Sequence, residues 1–435
     1  MKKFLSCLIA AIMLFLLTSC IALTNNSFID NTTGPKGINQ PEYPKGFSSS
    51  DYEAMRQRRD ENPVNDSTYD AIHKFSYNTA AQVFKEVETN NCYSPLSLYY
   101  ALALAATGAE GSTKDELSEL LGFDNVFDLS KECGNLYRLL YTHNEISRLK
   151  IANSLWLDND MNGQEYNYKE PFLKNATDNF YASLFSVDFS DESTGALMGQ
   201  WISSNTNGRI APKLNVDTQQ IMSILNTVYF YDEWINRFNK ANTKKDSFYP
   251  EDSESVLCDF MNMTNASQSF SRGEGYTRSS LGLKNSGSMV FILPDEGVSV
   301  RELLSSPERI EDIFTGGERR TGEVIWSIPK FGYSSSFDLT EPLKNLNINS
   351  AFSMDADFSG ITDGIAFISG VKQQTYISID ENGVEASAFT NIAYAGSAMP
   401  EDNAEMILNR PFVYGITTRS GILLFVGVCI NPTID

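Results

Sequence analysis

Towards the carboxyl end, a strand-like run from Thr375 to Asp380 meets Gly383, and small residues then continue through Tyr394-Ala395-Gly396-Ser397-Ala398-Met399-Pro400. Beyond Glu401 the chain returns to a strand pattern at Asn409-Arg410-Pro411-Phe412. The stretch between reads as an exposed loop of about 25 residues, well past the roughly 12–15 at which loops in compact domains are usually functional. Strand patterns surround it: Met289 to Leu293 and Glu323 to Ile328 before, Phe412 to Ile416 and Ile422 to Val428 after. The earlier part reads differently. Phe75 to Val87, Ser97 to Gly108, Asp115 to Leu121 and Leu136 to Ile146 carry apolar residues at helical spacing, and Ser94-Pro95 is a helix start. Helices first and strands later, with no βαβ alternation, repeat or linker, predict an α+β fold in one continuous domain over 67–435.

Charge and histidine content narrow the function. The 435 residues hold 34 Lys+Arg against 55 Asp+Glu, a formal net charge of −21. Nucleic acid, heparin-like polyanions and anionic lipid need clustered cations, so this balance argues against them as partners. The two histidines, His73 and His143, each lie on a helical pattern and read as structural. That leaves Ser/His/Asp hydrolases and His-rich zinc sites short of their commonest residue. No GxSxG, HExxH, GxxxxGK[ST] or complete GxGxxG occurs; Gly273-Glu274-Gly275 lacks the third glycine. Cys92, Cys133, Cys258 and Cys429 show neither CxxC pairing nor metal spacing, so they read as small buried residues whose pairing stays open. No metal site is expected from these residues.

The amino terminus reads as an address. Met1-Lys2-Lys3 precedes an apolar run, Phe4 to Leu17, and Leu17-Thr18-Ser19-Cys20 follows. This resembles a bacterial lipoprotein signal. The resemblance implies a signal peptide over 1–19, cleavage before Cys20 and lipidation of its thiol. The protein would then sit outside the cell or on its surface, held to a bacterial membrane only by that anchor. Residues 20–66 are rich in Asn, Thr, Ser, Gly and Pro and read as a flexible tether, with Arg56-Gln57-Arg58-Arg59 as a solvated basic cluster.

Seven short motifs in order point further. They are Asn91-Cys92-Tyr93-Ser94-Pro95-Leu96-Ser97; Leu225-Asn226-Thr227-Val228-Tyr229-Phe230 with Trp234 and Phe238; Phe291-Ile292-Leu293-Pro294-Asp295-Glu296-Gly297; Ile328-Pro329-Lys330-Phe331; Asp357-Phe358-Ser359-Gly360-Ile361; Asp380-Glu381-Asn382-Gly383-Val384-Glu385-Ala386-Ser387-Ala388; and Asn409-Arg410-Pro411-Phe412 with Gly427 and Pro432. Together they resemble the serpin family over nearly all of 67–435.

The resemblance implies a fold of three β-sheets, with a five-stranded sheet A, and eight to nine helices. It implies a protease inhibitor rather than an enzyme, a monomer without cofactor, and a covalent complex with a target serine protease. The loop would be cut as a substrate and would enter sheet A as a new strand. Glu381, Gly383, Val384, Glu385, Ala386, Ser387 and Ala388 would be its hinge. Ser94, Ser97, Asn226 and Gln373 match the family's shutter, and Trp234 with Lys330 its breach. Gln373 stands where the family usually has a histidine bonded to the positions of Asn226 and Ser94; a glutamine can also donate and accept. Lys330 and Glu381 match an ion pair at the top of sheet A. Family spacing from Gly383 puts the scissile bond at Ser397-Ala398. Small residues there suit an elastase-like or subtilisin-like target, and Lys and Arg are missing from Val384 to Asn409, which disfavours a trypsin-like one.

The loop also has the alternation a strand needs. Val384, Ala386, Ala388, Thr390, Ile392 and Tyr394 would share one uncharged face; Glu385, Ser387, Phe389, Asn391, Ala393 and Ala395 would share the other. No helix carries a basic stripe like the heparin-binding face of some family members, so no glycosaminoglycan activation is expected. Phe389 and Gln373 depart from the family pattern, and the alternative they leave is a non-inhibitory serpin acting as a surface binding or structural protein.

Overall fold

A computed structural model describes residues 37–434, apart from 38, 162–163, 219, 252, 286 and 385–401. In chain order these form helix α1 (Tyr52–Glu61), α2 (Asp66–Val83), strand β1 (Asn91–Tyr93), α3 (Pro95–Ala106), α4 (Gly111–Leu121), α5 (Val126–Leu140), β2 (Thr142–His143), β3 (Ser147–Asp158), β4 (Asp160–Met161), β5 (Gln164–Glu165), α6 (Glu170–Phe180), β6 (Ala182–Val187), α7 (Ser193–Asn205) and β7 (Met222–Glu233). Strands then dominate: β8 (Lys244–Phe248), β9 (Val256–Gly273), β10 (Tyr276–Leu283), β11 (Gly287–Pro294), α8 (Val300–Leu303), α9 (Pro307–Thr315), β12 (Glu318–Pro329), β13 (Phe331–Asp338), α10 (Thr340–Lys344), β14 (Ile368–Ile379), β15 (Gly383–Val384), β16 (Asn403–Ile407), β17 (Phe412–Thr417) and β18 (Leu423–Cys429).

The central sheet places β13, β14, β7, β3 and β6 side by side, with the short β15 and β2 added. These five strands are the expected sheet A. The other two expected sheets run together as one nine-stranded sheet, because β9, at 18 residues, ladders with β12 along most of its length and with β8 and β10 at its two ends. Helix α3 lies between the two large sheets, against β18 on one side and β3 and β7 on the other. All its residues are buried, which explains its uninterrupted run of Leu, Ala and Tyr. Pro95 opens it at the first helical position, where the missing N–H costs nothing.

Two local expectations change. The helix read over Leu136 to Ile146 ends at Leu140, and Thr142–His143 instead pair with Leu149 and Arg148 on the edge of β3. Tyr141 leaves helical geometry (φ −56°, ψ 121°) and stacks on Tyr43 at 5.9 Å. His143 is therefore on a strand. His73 is on α2, as read.

The tether reading of 20–66 is corrected over 39–62, where the chain docks on the body. Asn39 exchanges backbone hydrogen bonds with Leu184 at 3.4 and 3.0 Å, extending the edge of β6. Tyr43 stacks on Tyr141 and Tyr181 and carries the Lys150 ammonium 4.1 Å from its ring centre. Residues 52–61 form α1, whose Asp51 side chain accepts from the Ala54 N–H. Composition misled because this strap docks through backbone ladders and a few tyrosines rather than an apolar stripe; α1 has no fully buried residue.

Candidate functional site

The site begins where β14 stops. The Asp380 carboxylate accepts from the N–H groups of Asn382 (2.7 Å) and Gly383 (3.3 Å), and the Asp380 N–H donates to the Gly383 carbonyl (3.0 Å). A short carboxylate at this position closes a tight turn, and the chain runs back antiparallel. Gly383 and Val384 then sit between β14 and β7: Val384 faces Ile379 on one side and Asp232 on the other, and Gly383 faces Glu233. A Cβ at Gly383 would lie 2.2 Å from the Asp232 carbonyl oxygen, so this approach needs glycine. The Val384 side chain is buried. Further down, β14 and β7 pair directly and in parallel, from Ile368–Met222 to Gln374–Thr227. The central sheet is thus closed at one end and parted at the other by two residues at the root of the long loop.

Hydrogen bonds hold the parted end. Trp234, fully buried, donates its indole N–H to the Asp380 carbonyl at 2.9 Å, and its backbone N–H to the Asn382 carbonyl at 3.0 Å. The Phe238 N–H donates to the Glu381 carbonyl at 3.0 Å. The Glu381 carboxylate accepts from Thr243 (2.8 Å) and pairs with Lys330 at 3.2 Å. Burial pushes the Glu381 carboxyl up, but its own backbone N–H, Thr243 and Lys330 together outweigh that and hold it below the usual glutamate value. Beside it, Glu233 pairs with both Arg237 and Lys284 at 2.7 Å.

The middle of the sheet carries a buried polar cluster. The Gln373 Oε1 accepts from the Ser94 N–H at 2.8 Å, and its Nε2 donates to the Ser94 carbonyl (2.9 Å) and to the Asn226 Oδ1 (3.1 Å). The Asn226 Nδ2 donates to the Ser97 carbonyl (2.9 Å) and to the Asn153 Oδ1 (2.5 Å), and the Ser97 hydroxyl donates to the Asn226 Oδ1. The Ser94 hydroxyl donates to the Leu424 carbonyl at 2.7 Å. One side-chain amide therefore ties α3 to β14 and β7, and through Ser94 to the second sheet. In a dry interior each unmade bond here is costly.

Of the residues singled out from sequence, Ser94, Ser97, Asn226 and Gln373 come together in this cluster. Trp234, Lys330, Glu381, Gly383 and Val384 come together at the parted end. Glu385, Ala386, Ser387, Ala388, Ser397, Ala398 and Cys20 lie outside the described residues. Three contributors escaped the sequence reading: Asn153, Thr243 and the carboxylate of Asp380. Asp380 alone left a signal, as an Asx-type residue two positions before Asn382. Cys92, Cys133, Cys258 and Cys429 are free thiols, and burial pushes Cys92 up to about 12 and Cys258 up to about 11. Among the described residues no group of His, Cys, Asp and Glu is placed to hold a metal ion, and no helix is long and apolar enough to cross a membrane.

A five-strand central sheet parted at one end by Gly383 and Val384, over a buried polar lock, is where the sequence motifs meet. The chain belongs to the serpin family: the family model described as serpin (serine protease inhibitor) matches residues 70–432. Human (Homo sapiens) Serpin B4 is 28% identical over 395 residues, covering 84% of this chain and 100% of that protein. Serpin-Z1C of Triticum aestivum is 29% identical over 375 residues, covering 81% and 92%. The native-state crystal structure of the thermophilic serpin tengpin matches with a TM-score of 0.75 at 28% identity, over 92% of this chain and 100% of that one. Serpins are generally protease inhibitors rather than enzymes.

Proposed function

We propose that this chain is an inhibitory serpin that acts as a suicide substrate for an elastase-like or subtilisin-like serine protease outside a bacterial cell. The observation that carries the reading is the seat of Gly383 and Val384 between β14 and β7. The protease nucleophile attacks the Ser397 carbonyl, the peptide bond breaks, and the new amine of Ala398 leaves. The acylated segment then continues from Val384 down the sheet, parting the β14–β7 ladder and carrying the protease with it. Displaced catalytic groups no longer activate water, so the acyl-enzyme persists. The uncharged alternate positions after Val384 favour entry, because a buried unpaired charge would oppose it. The leader ending at Cys20 supports attachment to a membrane surface through lipid, and loss of palmitate labelling in Cys20→Ala would test that attachment.

The inhibitory reading is tested by mixing the protein with neutrophil-type elastase and with subtilisin at near-equal molar ratios, running SDS gels and sequencing the released peptide. A band at the summed mass and a peptide starting at Ala398 are expected. Clean loop cleavage without a complex and without a gain in thermal stability would sink the reading and leave a non-inhibitory binding role.

A further inference from the structure

A concentration of positive charge lies beside the parted end of the central sheet, where Lys284 pairs with Glu233. A cavity of about 840 Å³ opens between α1, the end of α5, β2, the β10–β11 turn and the β17–β18 turn. Arg56, Arg58, Arg59, His143, Lys284 and Arg419 line it, and no Asp or Glu does so among the described residues. In a chain with 55 acidic against 34 basic residues, such a one-sided lining runs against composition. Arg56, Arg59 and Arg419 enter no ion pair among the described residues.

Three of these cations are held in place, while Arg56 and Arg59 are exposed on α1. The Arg58 guanidinium donates to the carbonyls of Tyr141 (3.1 Å) and Lys45 and lies 4.2 Å from the Phe47 ring centre. Arg419 donates to the Lys284 carbonyl at 3.3 Å, and Lys284 pairs with Glu233. Arg56 and Arg59 are three apart on α1, hence on one helical face. Like charges lining one cavity repel, and a bound anion would relieve that repulsion. Guanidinium forks match phosphate oxygens in paired hydrogen bonds. Tyr52, Leu136 and Leu140 add apolar wall, and the volume is that of a small-molecule site.

We propose that this cavity binds a compact phosphorylated ligand, with Arg56, Arg59 and Arg419 as its principal anion contacts. The cations converge on one cavity instead of lining a stripe, which favours a small phosphate ester or a phospholipid head group over a long polyanion. The assignment is independent of the inhibitory reading.

The test is calorimetric titration of the full chain with inorganic pyrophosphate at low salt. One saturable site per chain is expected. The double variant Arg56→Ala/Arg59→Ala and the single variant Arg419→Ala should each weaken it about tenfold or more. Arg319→Ala, at an exposed arginine outside the cavity, should leave it unchanged. These side chains are not part of the core, so the variants remain folded. No saturable heat, or equal weakening by Arg319→Ala, overturns the proposal. Displacement of pyrophosphate by phosphatidylglycerol vesicles but not by phosphatidylcholine vesicles identifies a head group. Retained binding in both identifies a free phosphate ester. Affinity that climbs with the length of a sulfated oligosaccharide overturns the compact-ligand assignment.

Discussion

Gln373 makes three hydrogen bonds in a site with no water-exposed side, among them the acceptor for the buried Ser94 N–H. Gln373→Ala should lower stability by about 2–3 kcal/mol, since buried groups are left unpaired. The midpoint of the first guanidinium transition checks this. Glu381 gives a pH-dependent counterpart. Its carboxyl is held below the ordinary value of 4.5, so its contribution is full above that value and is lost as pH falls through the lower folded one. Glu381→Gln should cost about 1 kcal/mol at pH 7, because Lys330 is partly solvated. The gap between wild type and variant should close as the pH drops below 4.5, which melting curves across that range can follow. Glu381 and Lys330 were legible because each stands in a short motif, and Gln373 because it occupies the place where the resemblance expects a histidine. Asn153 and Thr243 were not. Their partners are 73 and 138 residues away in the chain, and nothing local marks an Asn or Thr that will meet them.

Among the elements, the two-residue β15 is the most consequential. Its two residues fit only because position 383 has no Cβ; the obstructing atoms, the Asp232 carbonyl and the Glu233 Cα, are backbone and cannot swing aside. Gly383→Ala should therefore lift β15 out of the sheet. The Trp234 amide, bonded to the Asn382 carbonyl, should then exchange its hydrogen faster. Under the proposed mechanism the same variant should be cut more often than it traps, raising the number of inhibitor molecules consumed per protease. The end of β14 before this seat was readable as a strand-like run, as were β11, β12, β17 and β18 of the nine-stranded sheet. The end of α5 was not, because the helical spacing of its apolar residues carries on past Leu140, and only the offer of a ladder on β3 turns the chain into β2.

The molecule as a whole is wrapped by the strap of residues 39–62. Its removal would uncover Tyr141, Tyr181 and Lys150, and the melting temperature should fall. The Lys150 amine, lowered by burial from 10.5 to about 8, gives the loss a signature. A depressed lysine stabilises fully above its unfolded value and loses that contribution as pH falls through the folded one. The difference in stability between the full chain and one starting at residue 63 should widen as pH rises from 8 towards 10, which paired melts can measure. Composition could not show the strap, since a polar helix and a few tyrosines look the same whether docked or loose. The seat of Gly383 and Val384 has a further meaning in polymer terms. Closing a long loop onto a distant target normally begins with an entropic search, and the first contact is the expensive one. Under the proposed mechanism, the first contact already exists before any bond is cut. Strand entry would then be growth from a standing nucleus, with its speed set by the rungs ahead of it rather than by finding the door.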